Sequence, residues 1–145
     1  MSKKLYRGGN YEKSGNDYSM TPTKVLEDIK EEFGEFFDPC PRDHDDSFDG
    51  LKIEWGLVNF VNPPYSEMKS WVAKCWIEWK KGKTVILLIP PRTCTRYFHD
   101  YIYNNAELRF FKGRLKFVDP NTNLSMAAAP FPSMLCIFRG GTYET

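Results

Sequence analysis

The chain has 145 residues, of which 41% are hydrophobic and 16% aromatic, so its length and composition predict one domain with a packed core. Few residues would remain for a second domain. Its 20 basic and 19 acidic side chains nearly balance, and bulk charge alone therefore does not indicate a nucleic-acid partner.

Membrane, export and metal signals are weak in this sequence. Its apolar runs fall well short of the ~20 residues that a membrane span needs. Residues 1–17 are basic at their start and lack the apolar core of a signal peptide, so we expect a mobile arm on a cytoplasmic protein. The four cysteines form no C-x-x-C pair, which predicts reduced thiols. The acids around His44 are interpreted as solvated surface, and no metal is predicted.

The first predicted element is a helix that opens at Thr21-Pro22, with Thr21 as the N-cap and Pro22 in the first turn. Apolar side chains follow at helical spacing until Gly34: Val25, Leu26, Ile29 and Phe33. Residues 35–38 then predict a short strand that ends on Asp38. Further along the chain, the apolar run 57–61 predicts a buried strand.

The next helix has the clearest pattern in the chain. Its apolar side chains recur every three or four residues: Met68, Trp71, Val72, Cys75, Trp76 and Trp79. The tryptophans are therefore predicted to be core residues, with Lys69, Lys74 and Glu78 on the opposite, polar face. Gly82 ends this helix. The run 84–89 is β-branched at its start and predicts a strand buried on both faces.

The last third of the chain predicts a short helix over about 96–103, followed by strands. Residues 107–111 and 114–118, joined by Lys112-Gly113, predict a hairpin, and residues 133–138 predict a final strand. Alternating strands and helices with late antiparallel strands favour a compact, three-layer Rossmann-like α/β sandwich with a mixed sheet. We expect a single domain over residues 18–141.

The tetrad Asn62-Pro63-Pro64-Tyr65 stands where the strand 57–61 ends, and α/β proteins place their chemistry at such ends. The carboxamide oxygen of Asn62 and the carbonyl of Pro63 suit the two hydrogens of an exocyclic amine, and Tyr65 offers a flat face for stacking. Such a site would direct the lone pair of a planar amine at an electrophile. A loop without function is the competing interpretation of Pro-Pro after a strand.

This tetrad, with Asp49-Gly50 before it and 91–93, 113–117 and 129–133 after it, resembles the phage-type DNA adenine-N6 methyltransferases over roughly residues 18–139. The resemblance implies a methyltransferase fold, S-adenosylmethionine as cofactor, and methyl transfer to N6 of adenine in DNA. It also implies a phage or viral setting, in which methylation protects DNA from host restriction. Catalysis is assigned to Asn62, Pro63, Pro64 and Tyr65.

The cofactor-binding residues that the resemblance implies belong to three segments: Tyr18, Thr21 and Pro22; Asp38, Pro39 and Cys40; and Asp49. Asp38 is suited to bind the ammonium group or a hydroxyl of S-adenosylmethionine. The loop after Asp38 has no G-x-G motif, although glycines are what let a backbone approach a ligand closely.

A DNA-facing surface is predicted in the second half of the chain, where basic residues gather. Arg92, Thr93 and Thr95 follow the strand 84–89 at the sheet edge expected for the tetrad. With Arg96 and Arg114 they are the predicted DNA-binding residues. A solvated charged surface is the alternative interpretation, and it also covers Arg109, Lys112 and Lys116.

Two other functions fit the same motifs. Cytosine N4 and the glutamine side chain also present a planar conjugated amine, so the tetrad defines the chemistry better than the substrate. A catalytically inactive relative that binds nucleic acid or cofactor is the alternative from a different class. The motifs encode neither a recognition sequence nor an oligomeric state.

Overall fold

The computed structural model describes residues 21–41, 47–119, 122, 124 and 131–141. Its helices are α1 (Thr23–Phe33), α2 (Met68–Lys80) and a π-helix (Phe98–Ile102), and its strands are β1 (Val58–Val61), β2 (Thr84–Ile89), β3 (Glu107–Phe110) and β4 (Met134–Phe138). Short 3₁₀ turns span Gly50–Lys52 and Tyr65–Glu67. Tyr18, the predicted arm and the acids around His44 lie outside the described residues. None of the helices described is long and apolar enough to cross a membrane.

The four strands form one mixed sheet in the order β1-β2-β4-β3. β1 and β2 are parallel, whereas β4 is antiparallel to both β2 and β3, with Met134 opposite Ile89 and Phe110. β3 therefore runs in the same direction as β1 and β2. The carboxyl ends of these three strands and the amino end of β4 lie along one edge of the sheet, which we call the carboxyl edge.

Alternate side chains of β2 enter two different cores. Val85, Leu87 and Ile89 pack with residues of α2 and the π-helix on one face of the sheet, and Ile86 and Leu88 pack with residues of α1 on the other. All five are at most 1% exposed. The sheet is thus covered on both faces, which explains why this strand is apolar from Val85 to Ile89.

Most predicted elements are confirmed. α2 and β2 have the expected bounds, and β1 and β4 are each one residue shorter than predicted. Trp71 is buried, while Trp76 and Trp79 are partly buried and pack against the same core. The helix predicted over about 96–103 is present, and its residues Phe98–Ile102 form the π-helix.

The predicted hairpin is wrong in its second strand. Residues 114–117 are not a strand, and β3 pairs instead with β4. Gly113 adopts a φ of 78°, and Leu115 and Phe117 beyond it pack into the core on the α1 side. β4 is buried at every position, so it needs a neighbouring strand on both sides. A long-range pairing therefore replaces the local one.

The strand predicted over residues 35–38 is reduced to a single bridge between Phe37 and Asn59. The N–H of Phe37 donates to the carbonyl of Val58 at 2.8 Å, and the N–H of Phe60 donates to the carbonyl of Phe37 at 3.0 Å. Pro39 has no N–H with which to continue the ladder. The bridge still places Asp38 beside the end of β1, on the side opposite β2.

Glu78 was predicted on the polar face of α2, and this is wrong because its side chain is fully buried. It accepts hydrogen bonds from Lys74 at 2.8 Å, Lys83 at 2.5 Å and the N–H of Trp55 at 3.3 Å. Burial alone raises the pKa of Glu78, but the hydrogen bonds from Lys74, Lys83 and Trp55 outweigh it and lower this pKa to about 2. This cluster joins the end of α2 to the start of β2.

Candidate active site

The tetrad leaves β1 at the carboxyl edge of the sheet. Pro63 and Pro64 are buried, and Asn62 and Tyr65 are partly exposed. Pro64 is extended, with φ −66° and ψ 138°, and Tyr65 begins the 3₁₀ turn that leads into α2. The two prolines thus hold the backbone straight between the strand and the turn, with a polar side chain before them and an aromatic one after them.

Asn62 is hydrogen-bonded to Thr21, because its Nδ2 donates to Thr21 Oγ1 at 3.0 Å. Thr21 is 8% exposed and lies just before α1. The predicted capping role of Thr21 is wrong: Pro22 occupies the N-cap position, and the Thr21 hydroxyl binds Asn62 instead. This bond joins a residue predicted to bind cofactor to the residue predicted to bind the reacting amine.

Tyr65 contacts Phe131 edge to face, with 5.2 Å between ring centroids and an interplanar angle of 69°. The guanidinium carbon of Arg92 lies 6.0 Å from the centroid of the same Phe131 ring. The loops after β1 and β2 and the segment before β4 therefore meet at the carboxyl edge. Phe131 was not among the predicted site residues, although it stands just before the last predicted strand, at the end expected to face the tetrad.

Asp38 has a carboxyl group in a poorly solvated position. Its Oδ1 accepts the N–H of Cys40 at 2.9 Å. Burial raises the pKa of Asp38 to about 6, and the bond from Cys40 offsets only part of this effect. A cationic or hydroxyl-bearing partner at this position would stabilise the charged form.

A cavity of about 250 Å³ adjoins the segment after Asp38. Predicted cofactor residues Pro39, Cys40 and Asp49 line it together with Leu51 and Trp71. The indole N–H of Trp71 finds no hydrogen-bond acceptor among the described residues. Such a buried donor costs free energy, and its side chain belongs to the wall of this cavity.

Gly50 makes one wall of this cavity possible. A Cβ at this position would overlap the backbone carbonyl of Pro39 and would lie 2.8 Å from Cη2 of Trp71. The turn around it is fixed, since Asp49 Oδ1 accepts the N–H of Leu51 at 3.0 Å and Trp55 Nε1 donates to the Gly50 carbonyl at 2.8 Å. The glycine that lets the backbone come close to the cavity is thus Gly50. It lies in a different segment from the loop after Asp38, which has no G-x-G motif.

The predicted DNA-binding residues differ in what their side chains do. Arg92, Thr93, Arg96 and Arg114 are exposed. Thr95 is partly buried, and its hydroxyl donates to the carbonyl of Arg92 at 2.8 Å and accepts the N–H of Phe98 at 3.3 Å. This threonine therefore caps the helix that follows, and it contributes to the surface mainly by holding the loop.

Arg109 is already paired within the protein. It binds Glu32 through two bonds of 2.7 Å and Glu107 through one of 2.7 Å. Arg139 also binds Glu107, at 2.8 Å. These two arginines link α1, β3 and the end of β4, so the interpretation of Arg109 as part of a basic surface gives way to one of a structural ion pair.

The cysteines and acids of the described residues show no arrangement for metal binding, since nowhere among them do three His, Cys, Asp or Glu side chains cluster suitably. Cys75 and Cys136 are buried, Cys94 is exposed and Cys40 is partly buried, all as free thiols.

Residues 8–144 match the family model described as DNA N-6-adenine-methyltransferase (Dam). The match covers nearly the whole chain, and it confirms the resemblance that the tetrad and its neighbouring motifs indicated. No curated protein matches the chain.

Proposed function

Because the chain belongs to the DNA N-6-adenine-methyltransferase family, we propose that it transfers a methyl group from S-adenosylmethionine to N6 of adenine in DNA. The position of the tetrad carries this proposal. It leaves β1 between two different neighbours: Asp38 and the cavity on the side of the Phe37 bridge, and Arg92 on the side of β2. We assign the methyl donor to the first side and the nucleotide to the second.

The tetrad would act on the amine of the base. Asn62 Oδ1 and the Pro63 carbonyl accept its two hydrogens, which directs the nitrogen lone pair away from the protein acceptors and toward the donor. Tyr65 stacks on the ring and fixes its plane. When bound, S-adenosylmethionine supplies a methyl group made electrophilic by the adjacent sulfonium. Positioning by Asn62 and Tyr65 is the main contribution of the protein.

The residues around the cavity fit this cofactor. Asp38, with its raised pKa, gains stability from an ammonium group or hydroxyl that pairs with its carboxylate. Pro39, Leu51 and Trp71 form an apolar and aromatic wall suited to a flat heterocycle, and Asp49 supplies a carboxylate beside it. We propose that Cys40, Pro22 and Tyr18 complete this binding site, as the family resemblance implies.

The DNA surface is proposed to comprise Arg92, Arg96 and Arg114, with Thr93 and Thr95 in the same loop. An adenine inside a duplex hides its amine, so the base must leave the stack before it can react. Stacking against Tyr65 offsets the unstacking cost of a few kcal/mol. Arg92 lies near the ring of Phe131 and hence near Tyr65, which supports a role for it in binding a phosphate close to such a base.

We further propose that the sheet with helices on both faces is a reduced Rossmann-like three-layer sandwich, and that residues 18–141 form one methyltransferase domain behind an arm of residues 1–17. A cytoplasmic enzyme of phage-infected cells, protecting DNA from restriction, is the setting that the resemblance supports.

Incubation of the purified protein with tritiated S-adenosylmethionine and, separately, DNA, RNA and protein pools tests the proposal. We expect label in DNA, recovered as N6-methyladenine. Label in cytosine N4 or in protein glutamine would assign the same chemistry to another amine. Cofactor binding without label in any pool would identify a catalytically inactive relative.

Replacing Asn62 with alanine tests the role of the tetrad. We expect Asn62→Ala to abolish methyl transfer while the calorimetric dissociation constant for S-adenosylmethionine stays within about a few-fold, because the lost group contacts the amine and not the donor. Activity comparable to that of the wild type would remove the central claim. A parallel loss of cofactor affinity would move Asn62 into the donor site.

A further inference from the structure

We infer that Thr21 is a positioning residue for methyl transfer, and that its hydroxyl orients the carboxamide of Asn62 with Oδ1 toward the target amine. This inference rests on the function proposed above. It differs from a cofactor contact, because it assigns the hydroxyl of Thr21 to Asn62. The direct observation is the bond of 3.0 Å from Asn62 Nδ2 to Thr21 Oγ1.

A carboxamide has two unlike ends, and only one of them is useful here. Oδ1 accepts a hydrogen from an amine, whereas Nδ2 carries two donors that would oppose the amine hydrogens. Rotation of the group by 180° would exchange them. The Thr21 hydroxyl accepts from Nδ2 and so holds the carboxamide with Oδ1 on its other side. A side chain without a hydroxyl would remove this restraint.

Both partners are fixed by the same core. Val25 and Ile29 of α1 pack with Phe60 of β1, two residues before Asn62. The Pro22 carbonyl accepts from the N–H groups of Val25 and Leu26 at 3.1 and 3.3 Å, which fixes the first turn of the helix directly after Thr21. The distance between the hydroxyl and the carboxamide is thus set by helix-to-strand packing.

The hydroxyl of Thr21 has no capping function that would explain its burial. Pro22 is the N-cap, and α1 begins at Thr23. Asn59, which lies within β1 three residues before Asn62, shows the contrast: its carboxamide binds the backbone of Gly56 and Thr84 and so serves the fold. Asn62, at the carboxyl edge, is instead bound by a side chain that substitution can remove.

Thr21→Val keeps the shape of the side chain and removes its hydroxyl. We expect kcat to fall roughly tenfold, the effect of one lost hydrogen bond that orients a reacting group. KM for DNA and the calorimetric dissociation constant for S-adenosylmethionine should stay within about twofold, because neither ligand binds this hydroxyl. Thr21→Ser restores the hydroxyl, and its kcat should return to within about threefold of the wild type.

Thr23→Val is the matched control, since it makes the same change two residues along the chain at an exposed position. It should leave kcat unchanged. Melting temperatures of all variants establish that each is folded, and Thr21→Ala replaces Thr21→Val, with the same expectation, if valine packs badly.

Several results would overturn the inference. They are a Thr21→Val enzyme as fast as the wild type, a Thr21→Ser enzyme as slow as Thr21→Val, or a loss of cofactor affinity that matches the loss of rate. The last would return Thr21 to the donor site. A wild-type protein that labels no DNA contradicts the proposed function itself, which keeps the two failures distinct.

Discussion

Asp38 is the site residue whose burial has a measurable consequence for stability. Its pKa of about 6 exceeds the ordinary 3.8, because burial disfavours the charged carboxylate. Between these values the folded state binds more protons than the unfolded state, so the free energy of unfolding falls as pH rises through this window. A carboxylate retained at this cost is typical of a group that binds a ligand.

We therefore expect Asp38→Asn to raise the free energy of unfolding at pH 7 by about 1–3 kcal/mol, with the difference disappearing below about pH 4. The same variant should bind S-adenosylmethionine more than about tenfold more weakly, because a charge-assisted bond is lost. Urea unfolding at both pH values and calorimetric titration measure the two effects.

Asp28→Asn serves as the control, because Asp28 is an exposed partner of Lys24 on α1. It should change neither stability nor cofactor affinity appreciably. An Asp38→Asn protein with the stability profile of the wild type would show that Asp38 is well solvated. Unchanged affinity would show that the cofactor binds elsewhere.

At the scale of elements, the structure depends on how α2 is attached to β2. Lys83, which is 8% exposed, donates to Glu78 at 2.5 Å, to Glu54 at 2.7 Å and to the Trp55 carbonyl at 2.9 Å. The turn that reverses the chain between helix and strand thus has a buried ion pair at its centre. Because β2 is the strand beside β1, this attachment also supports the tetrad.

Glu78→Gln should destabilise the protein by about 3–5 kcal/mol at neutral pH, since it removes the buried counter-charge of Lys83 and leaves only the exposed carboxylate of Glu54 beside it. The pKa of Glu78 is lowered to about 2 from 4.5, so its contribution is present above pH 4.5 and is lost as pH falls toward 2. Urea unfolding measures the loss of stability. The difference in free energy of unfolding between variant and wild type should narrow as pH falls from 4.5 toward 2.

Glu54→Gln provides the comparison, because Glu54 binds the same Lys81 and Lys83 but its side chain is 67% exposed. It should destabilise the protein far less than Glu78→Gln does, because exposed ion pairs contribute little to stability. Equal losses in the two variants would mean that burial of Glu78 does not determine its contribution.

The sequence predicts elements well where the pattern is local. α2 and β2 follow from periodicity and from a continuous apolar run, which any segment of this length displays by itself. The pairing of β3 with β4 does not follow, because it joins residues 24 to 30 positions apart along the chain. The burial of Glu78 is not predicted by the helical pattern either, because its partner Lys83 lies beyond the end of α2 and is brought back to it by the turn.

At the scale of the whole molecule, two groups of arginines differ in where they lie and what they bind. One group binds acids of the protein, and the other lies in segments that leave the carboxyl edge. Arg109 and Arg139 are paired with Glu32 and Glu107. Arg92, Arg96 and Arg114 are exposed in segments that leave the carboxyl edge. A net charge of +1 conceals this division, because it averages the two groups.

Replacing Arg92, Arg96 and Arg114 together with glutamine should weaken DNA binding and flatten its dependence on salt, each lost phosphate contact lowering the logarithmic slope by about 0.9. Fluorescence titration at several salt concentrations measures this slope. The control is the double variant Arg109→Gln/Arg139→Gln, which removes paired arginines and should keep the slope. Equal slopes in the triple variant and the wild type would place DNA on another face.

The contiguous motifs of the site could be predicted from the sequence, but the contacts between its distant residues could not. N-P-P-Y and Asp49-Gly50 are contiguous motifs, so their residue types alone indicate an amine-binding site and a tight turn. The bond from Asn62 to Thr21 and the contact of Tyr65 with Phe131 join positions 41 and 66 residues apart. Only the folded sheet, with its shared carboxyl edge, brings these together.

The position of β4 has a consequence for synthesis on the ribosome. This strand lies between β2 and β3 in the sheet, yet both of them precede it in the chain. Until it emerges, β3 has no partner within the described sheet and β2 presents an open edge, which is a template for intermolecular pairing. Nascent chains halted before residue 134 are thus expected to aggregate or to remain bound to chaperones, and completed chains to be released.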